Sequence, residues 1–156
     1  MQIITAPNYE TPINANTLFL GGGISGCRLW QNDIIEMLTP LKLPVTIFNP
    51  RRDDFDINDP QASEIQIKWE HWHLNMSNIV LFWFPSETLC PITLFEYGKY
   101  LVYNTTIKKD IKLIVGCHPD YKRKFDVVYQ TKLENPNIKI HTKLTHMVDA
   151  IYLNIK

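Results

Sequence analysis

The chain has 156 residues, 45% of them hydrophobic and 21% charged, which is a globular composition sized for one domain around a single core. Its 16 basic and 16 acidic residues give a net charge of zero, which disfavours a protein that grips an extended nucleic acid through its phosphates. No stretch approaches the ~20 apolar residues that span a bilayer, no basic segment followed by a long apolar run opens the chain, and the three separated cysteines Cys27, Cys90 and Cys117 read as reduced thiols, so a soluble cytoplasmic protein is expected.

Residues 1–16 mix short apolar runs with Pro7, Asn8, Pro12 and Asn14, and read as an N-terminal arm with room for one edge strand. A single domain is expected over residues 17–156. Thr17-Leu18-Phe19-Leu20 is a strand that runs into the turn Gly21-Gly22-Gly23, after which Ser25 can cap a helix reaching Leu38. A second short strand covers residues 44–48 and ends at Asn49-Pro50. The polar loop 51–59 follows, and Pro60 opens a helix to about Met76. The uncharged run Ile79-Val80-Leu81-Phe82-Trp83-Phe84 is the signature of a strand buried on both faces. Pro85-Ser86-Glu87-Thr88 breaks it, and Pro91 starts a helix to about Tyr103. A strand at 111–115, a helix at 122–133, a short strand at 138–140 and a helix at 142–153 complete the pattern.

Strands alternating with helices predict an α/β fold with a mostly parallel five-stranded sheet, helices on both faces and right-handed crossovers. Every strand then exits on one edge. The loops at 21–23, 49–56, 85–90 and 116–121 are expected to meet there in one pocket, the usual ligand position in open α/β sheets.

Two carboxylates stand out within this frame. Glu96 lies on the helix after the central strand, among Ile92, Leu94, Phe95 and Tyr97. Its bland alternative is a surface pair with Lys99, three residues on. The neighbouring Gly98 costs a helix about 1 kcal/mol against alanine and calls for a packing or ligand reason. Glu70, on the preceding helix, is either a site carboxylate or a solvated partner of Lys68. The glycines Gly21, Gly22 and Gly23 can admit a ligand close to the backbone or simply make a tight turn. Arg51, favoured slightly over Arg52, can bind sugar hydroxyls or a 5′-phosphate together with Asp54, or the loop can neutralise itself. Pro85, Thr88, Cys90 and His118 belong to the converging loops. His71 and His73 face different directions on a helix, no Cys or His spacing supports zinc, and neither a metal nor an organic cofactor is expected.

The set Gly21-Gly22-Gly23-Ile24, Asn49-Pro50-Arg51-Arg52, Trp69-Glu70, Phe82-Trp83-Phe84-Pro85 and Phe95-Glu96-Tyr97-Gly98 resembles the nucleoside 2-deoxyribosyltransferase superfamily, in particular its nucleoside 2-deoxyribosyltransferase-like subgroup, from residue 17 to about 130. The resemblance implies a flavodoxin-like three-layer fold acting on a small nucleoside or nucleotide. It implies that Glu96, in the Glu-x-Gly element, attacks the anomeric carbon, forming a glycosyl ester that a second base or water resolves. Glu70 then falls at the acidic position that binds or protonates the base. The family pattern also implies a homo-oligomer, in which residues near 118–126 complete a neighbouring site. One departure stands out. Classical members carry Asp six positions before the nucleophile, where this chain has Cys90, with Glu87 nearby. A catalytically weak module that binds or sequesters a nucleotide-derived ligand is the alternative expectation.

Overall fold

The computed structural model describes residues 1–56, 58–107 and 110–156. Ile57, inside the predicted loop 51–59, lies outside the described residues. Six consecutive apolar residues can satisfy both their backbone and their side chains only between two neighbouring strands. The strand β4 (Ile79–Phe84) takes that place, with all six residues buried. It pairs with β2 (Asn16–Gly22) on one side and β5 (Lys112–Cys117) on the other. With β1 (Gln2–Thr5), β3 (Val45–Asn49) and β6 (Ile140–His141), the sheet has six strands in the order β1-β3-β2-β4-β5-β6, and every pairing is parallel.

The helices are α1 (Trp30–Leu38), α2 (Pro60–Met76), α3 (Pro91–Thr106), α4 (Lys124–Glu134) and α5 (Leu144–Ile155). Strand side chains alternate between faces, so each strand feeds two cores. Leu18, Leu20, Ile47 and Leu81 pack with Trp30, Ile34 and Leu38 of α1 and with Met147 and Ile151 of α5. Phe19, Phe48, Phe82 and Phe84 pack on the other face with Trp69 of α2, Tyr97 and Tyr100 of α3, and Val127 of α4. Helices on both sides of a parallel sheet make an arrangement compatible with the flavodoxin-like three-layer fold.

Two expectations are corrected. The sheet has six strands, not five, because β1 of the N-terminal arm joins the edge and pairs with β3 from Gln2↔Thr46 to Thr5↔Asn49. Its alternation is weak in the sequence, since only Ile4 of its four residues is buried. Ser25 does not cap α1. That helix begins at Trp30 with Leu29 at its N-cap and no side-chain cap. The intervening stretch is held as a loop by Gly26, at a left-handed φ of 73°, and by side chains that reach its carbonyls from elsewhere, described below.

A backbone crossing fixes the end of β2. A Cβ on Gly22 would stand 2.5 Å from the Trp83 carbonyl oxygen and 2.5 Å from Trp30 Cζ2, neither of them the end of a flexible chain. Gly22→Ala should therefore destabilise the protein by about 1–3 kcal/mol, the usual range for overpacking, read as a lower urea midpoint at unchanged m-value.

Candidate active site

The glycine turn and the β4 exit loop meet at Gly23. A Cβ there would lie 2.7 Å from Cys90 Sγ, 2.9 Å from Pro85 Cγ and 3.0 Å from Thr88 Cγ2. The residue must lack a side chain for the two loops to close together. Its carbonyl accepts the indole N–H of Trp30 at 2.7 Å. Arg51 reaches the same turn from the end of β3. Its Nε donates to Gln31 Oε1 at 2.8 Å, and its Nη2 to the carbonyls of Ile24 at 3.0 Å and Arg28 at 3.1 Å. As placed, Arg51 braces the loop before α1. Arg52 is engaged by Asp54, Nε to Oδ1 at 2.9 Å, and stands over the Phe55 ring with its Nη1 buried and unpartnered. Arg52 also holds Asp54 below the usual carboxylate range. For Asp54, the self-neutralising arrangement is the one present.

The exit loops of β4 and β5 are tied as well. The His118 backbone N–H donates to the Phe84 carbonyl at 2.9 Å, and the Tyr121 hydroxyl donates to the Leu89 carbonyl at 2.7 Å. His118 is half-buried, and its Nδ1 accepts the Asp120 N–H at 3.2 Å, which leaves Nε2 as the protonated nitrogen of the neutral ring. Gly23, Pro85, Thr88, Cys90, Arg51 and His118 thus gather along the carboxyl edge of the sheet.

Cys90 precedes α3 in a left-handed conformation, φ 49° and ψ 55°, one that Asp and Asn adopt more readily than Cys. Burial pushes its thiol up to about 12, with Cys27 and Glu87 adding to the effect, so it stays protonated. Glu87 is exposed and has the opposite tendency. Its slight burial is outweighed by backbone amides, including that of Arg28, and by the Ser86 hydroxyl, which hold it below the usual range. Neither side chain is poised to hand a proton to a leaving group near neutral pH.

The second cluster lies deeper along α3. Glu96 follows Cys90 by six residues, about 9 Å along a helix, within electrostatic reach of Glu70 on α2. Burial pushes Glu96 up to about 8, and the charge of Glu70 adds to the push while Lys99 opposes it. Burial raises Glu70 as well, against a hydrogen bond of 2.8 Å from Gln66 Nε2 to its Oε1. The same Nε2 donates to the Pro50 carbonyl at 2.8 Å. Both partners are acceptors, so the amide orientation is forced, and Gln66 Oε1 remains buried without a partner. Lys68 is taken by Glu64 at 2.5 Å, and no ion pair joins Lys99 to Glu96 among the described residues. Both bland alternatives for the carboxylates are therefore unoccupied.

Sequence reasoning passed over Gln66 and Tyr100. Each lies one helical turn from a chosen carboxylate, Gln66 four before Glu70 and Tyr100 four after Glu96, and that spacing was the available signal. The Tyr100 hydroxyl is buried and unpartnered, and burial, reinforced by the Glu96 charge, pushes it up to about 12. Burial raises both carboxyls and the Glu70 charge raises Glu96 further, so the two groups differ in how readily they ionise.

An open parallel sheet with helices on both faces and loops gathered at its carboxyl edge defines an α/β protein. The family model described as "Nucleoside 2-deoxyribosyltransferase like" matches residues 15–121, and the chain belongs to that family. Membership points to glycosyl transfer at nucleosides, with small-molecule nucleoside substrates. No curated protein matches the chain. No helix among the described residues is long and apolar enough to cross a membrane.

The raised acidity constant of Glu96 links to stability. The unfolded chain releases this proton near 4.5 while the folded chain keeps it to about 8. The favourable contribution is therefore whole below about 4.5 and fades as pH climbs through about 8. Glu96→Gln should gain stability relative to the parent as pH rises, with the difference small at pH 5 and largest near pH 9 in parallel urea titrations.

Proposed function

We propose that this protein cleaves or transfers at the N-glycosidic bond of a (deoxy)nucleoside or nucleotide through a covalent ester on Glu96. The observation that carries the reading is that Gln66 ties Glu70 to the Pro50 carbonyl at the β3 exit, within electrostatic reach of the half-buried Glu96. An ionised Glu96 oxygen forms the bond to the anomeric carbon as the carbon–nitrogen bond breaks, and the base departs with that electron pair. Glu70 binds the departing base through a hydrogen bond or protonates it. In the second half an acceptor base or a water attacks the same carbon and Glu96 leaves as carboxylate. Gln66 fixes Glu70 against the Pro50 carbonyl, and the glycine turn backs the sugar.

Glu96→Ala should abolish turnover, and Glu70→Gln should lower kcat/KM by roughly 10²–10⁴-fold, the range of general acid–base assistance. Because the nucleophile must be a carboxylate, kcat/KM should rise with pH and level off above about 8, where the free protein's Glu96 is ionised. Unchanged turnover in Glu96→Ala would discard the mechanism.

A binding module is the second reading, favoured by one observation: the position expected to carry an acid holds Cys90, a thiol that stays protonated. Incubation with a panel of nucleosides and nucleotides, with and without a free acceptor base, separates the two by chromatography and mass spectrometry. New nucleosides that require the acceptor mark a transferase, and free base without it marks a hydrolase. Intact ligand recovered in stoichiometric amount marks the binding module.

A further inference from the structure

We propose that the recess between the N-terminal arm and the last turns of α2 binds a small primary amine as its ammonium ion. The arm turns back after β1 and lies along α2. It encloses about 510 Å³ between Tyr9, Glu10 and Pro12 on one side and Trp72, His73 and Met76 on the other. This wall is fixed from behind. Trp69 Nε1 donates to the Asn8 carbonyl at 2.7 Å. Gln2 ties the arm twice, its Nε2 donating to the Thr11 carbonyl at 3.3 Å and its Oε1 accepting the Ile13 N–H at 2.9 Å. None of the residues lining the recess belongs to the candidate active site.

His73 stands at the floor, only 1% exposed. Its ring is clamped by Trp69, stacked at 4.0 Å, by Phe48 at 4.6 Å and by Tyr9 at 5.4 Å. Nδ1 lies 2.8 Å from the Trp69 carbonyl, which can only accept, so Nδ1 carries the hydrogen. Burial lowers the pKa of the ring, which is therefore neutral, and Nε2 keeps a lone pair that no donor among the described residues takes up. An almost buried acceptor opening on a recess calls for a donor from outside the chain. The surrounding groups narrow the chemistry of that donor. Trp72, at 57% exposure, and Tyr9, at 58%, leave large aromatic faces to solvent. Glu10 places a carboxylate at the rim with no ion pair among the described residues. No lysine or arginine lines the recess, and Lys68, within electrostatic reach of Tyr9, is held by Glu64 at 2.5 Å. Aromatic faces and a carboxylate both attract positive charge, and only an ammonium bearing N–H groups also satisfies Nε2. This site does not depend on the catalytic reading.

Saturation-transfer NMR of n-butylammonium with the full chain tests the site without any activity measurement. Saturable binding is expected. Trp72→Ala should weaken it about fivefold, the scale of a lost cation–π contact. Glu10→Gln should weaken it about threefold at low ionic strength. Both side chains are exposed, so each variant provides a disruption should the other fold poorly. Butyltrimethylammonium, with the same charge and no N–H, should bind at least tenfold more weakly. Absence of saturable n-butylammonium binding would overturn the proposal, and so would equal affinity for the trimethyl analogue or binding unmoved by both substitutions. A dimer in sedimentation that Trp72→Ala dissolves would put a second copy in the recess and overturn it as well.

Discussion

The carbonyl of Gly23 is the point on which the carboxyl edge of the sheet depends. It ends the run out of β2, accepts the Trp30 indole, and lies within 3.5 Å of Arg51 Nη2. On its other side, the missing side chain admits Pro85, Thr88 and Cys90. Three segments that are distant in sequence, residues 21–30, Arg51 and the β4 exit loop, are thereby held in one arrangement by one buried donor, one half-buried donor and one absent methyl. Removing either kind of contact would leave an orphaned polar group or a steric clash, and both cost more than the contacts themselves contribute.

Against that rigid edge, the carboxyl pair is the costly element. Burial raises the proton affinity of both groups, the Glu70 charge raises that of Glu96 further, and the fold offsets this with little: one amide from Gln66 and the charge of Lys99. Buried polar valences collect on either side, on Gln66 Oε1 and on the Tyr100 hydroxyl. A protein that optimised stability alone would fill this region with apolar side chains. The proposed function rests on this concentration of unmet polarity beside two burial-raised acids.

Much of this was legible in the sequence. The uncharged run 79–84 could only be a central strand, Pro60 and Pro91 marked helix starts, and the glycine turn and exit loops converge as the alternating pattern predicts. What escaped was set by contacts between distant residues. Pairing of Gln2–Thr5 with β3 depends on an edge that exists only once the sheet is assembled. The late start of α1 depends on Arg51, more than twenty residues away, which holds the Ile24 and Arg28 carbonyls. Arg51 itself illustrates the limit: its residue type matched phosphate recognition equally well, and only its neighbours show what its donors meet.

The brace formed by Arg51 has a consequence for how this rim can change over time. Its acceptors at residues 24 and 28 are main-chain carbonyls, which every amino acid carries. The shape of that segment is therefore largely independent of the side chains displayed on it. Ile24 and Ser25 can be exchanged with little disturbance to the scaffold, whereas the Arg28 side chain also holds Asp33 at 2.8 Å. In a directed-evolution library this stretch would be a natural place to diversify.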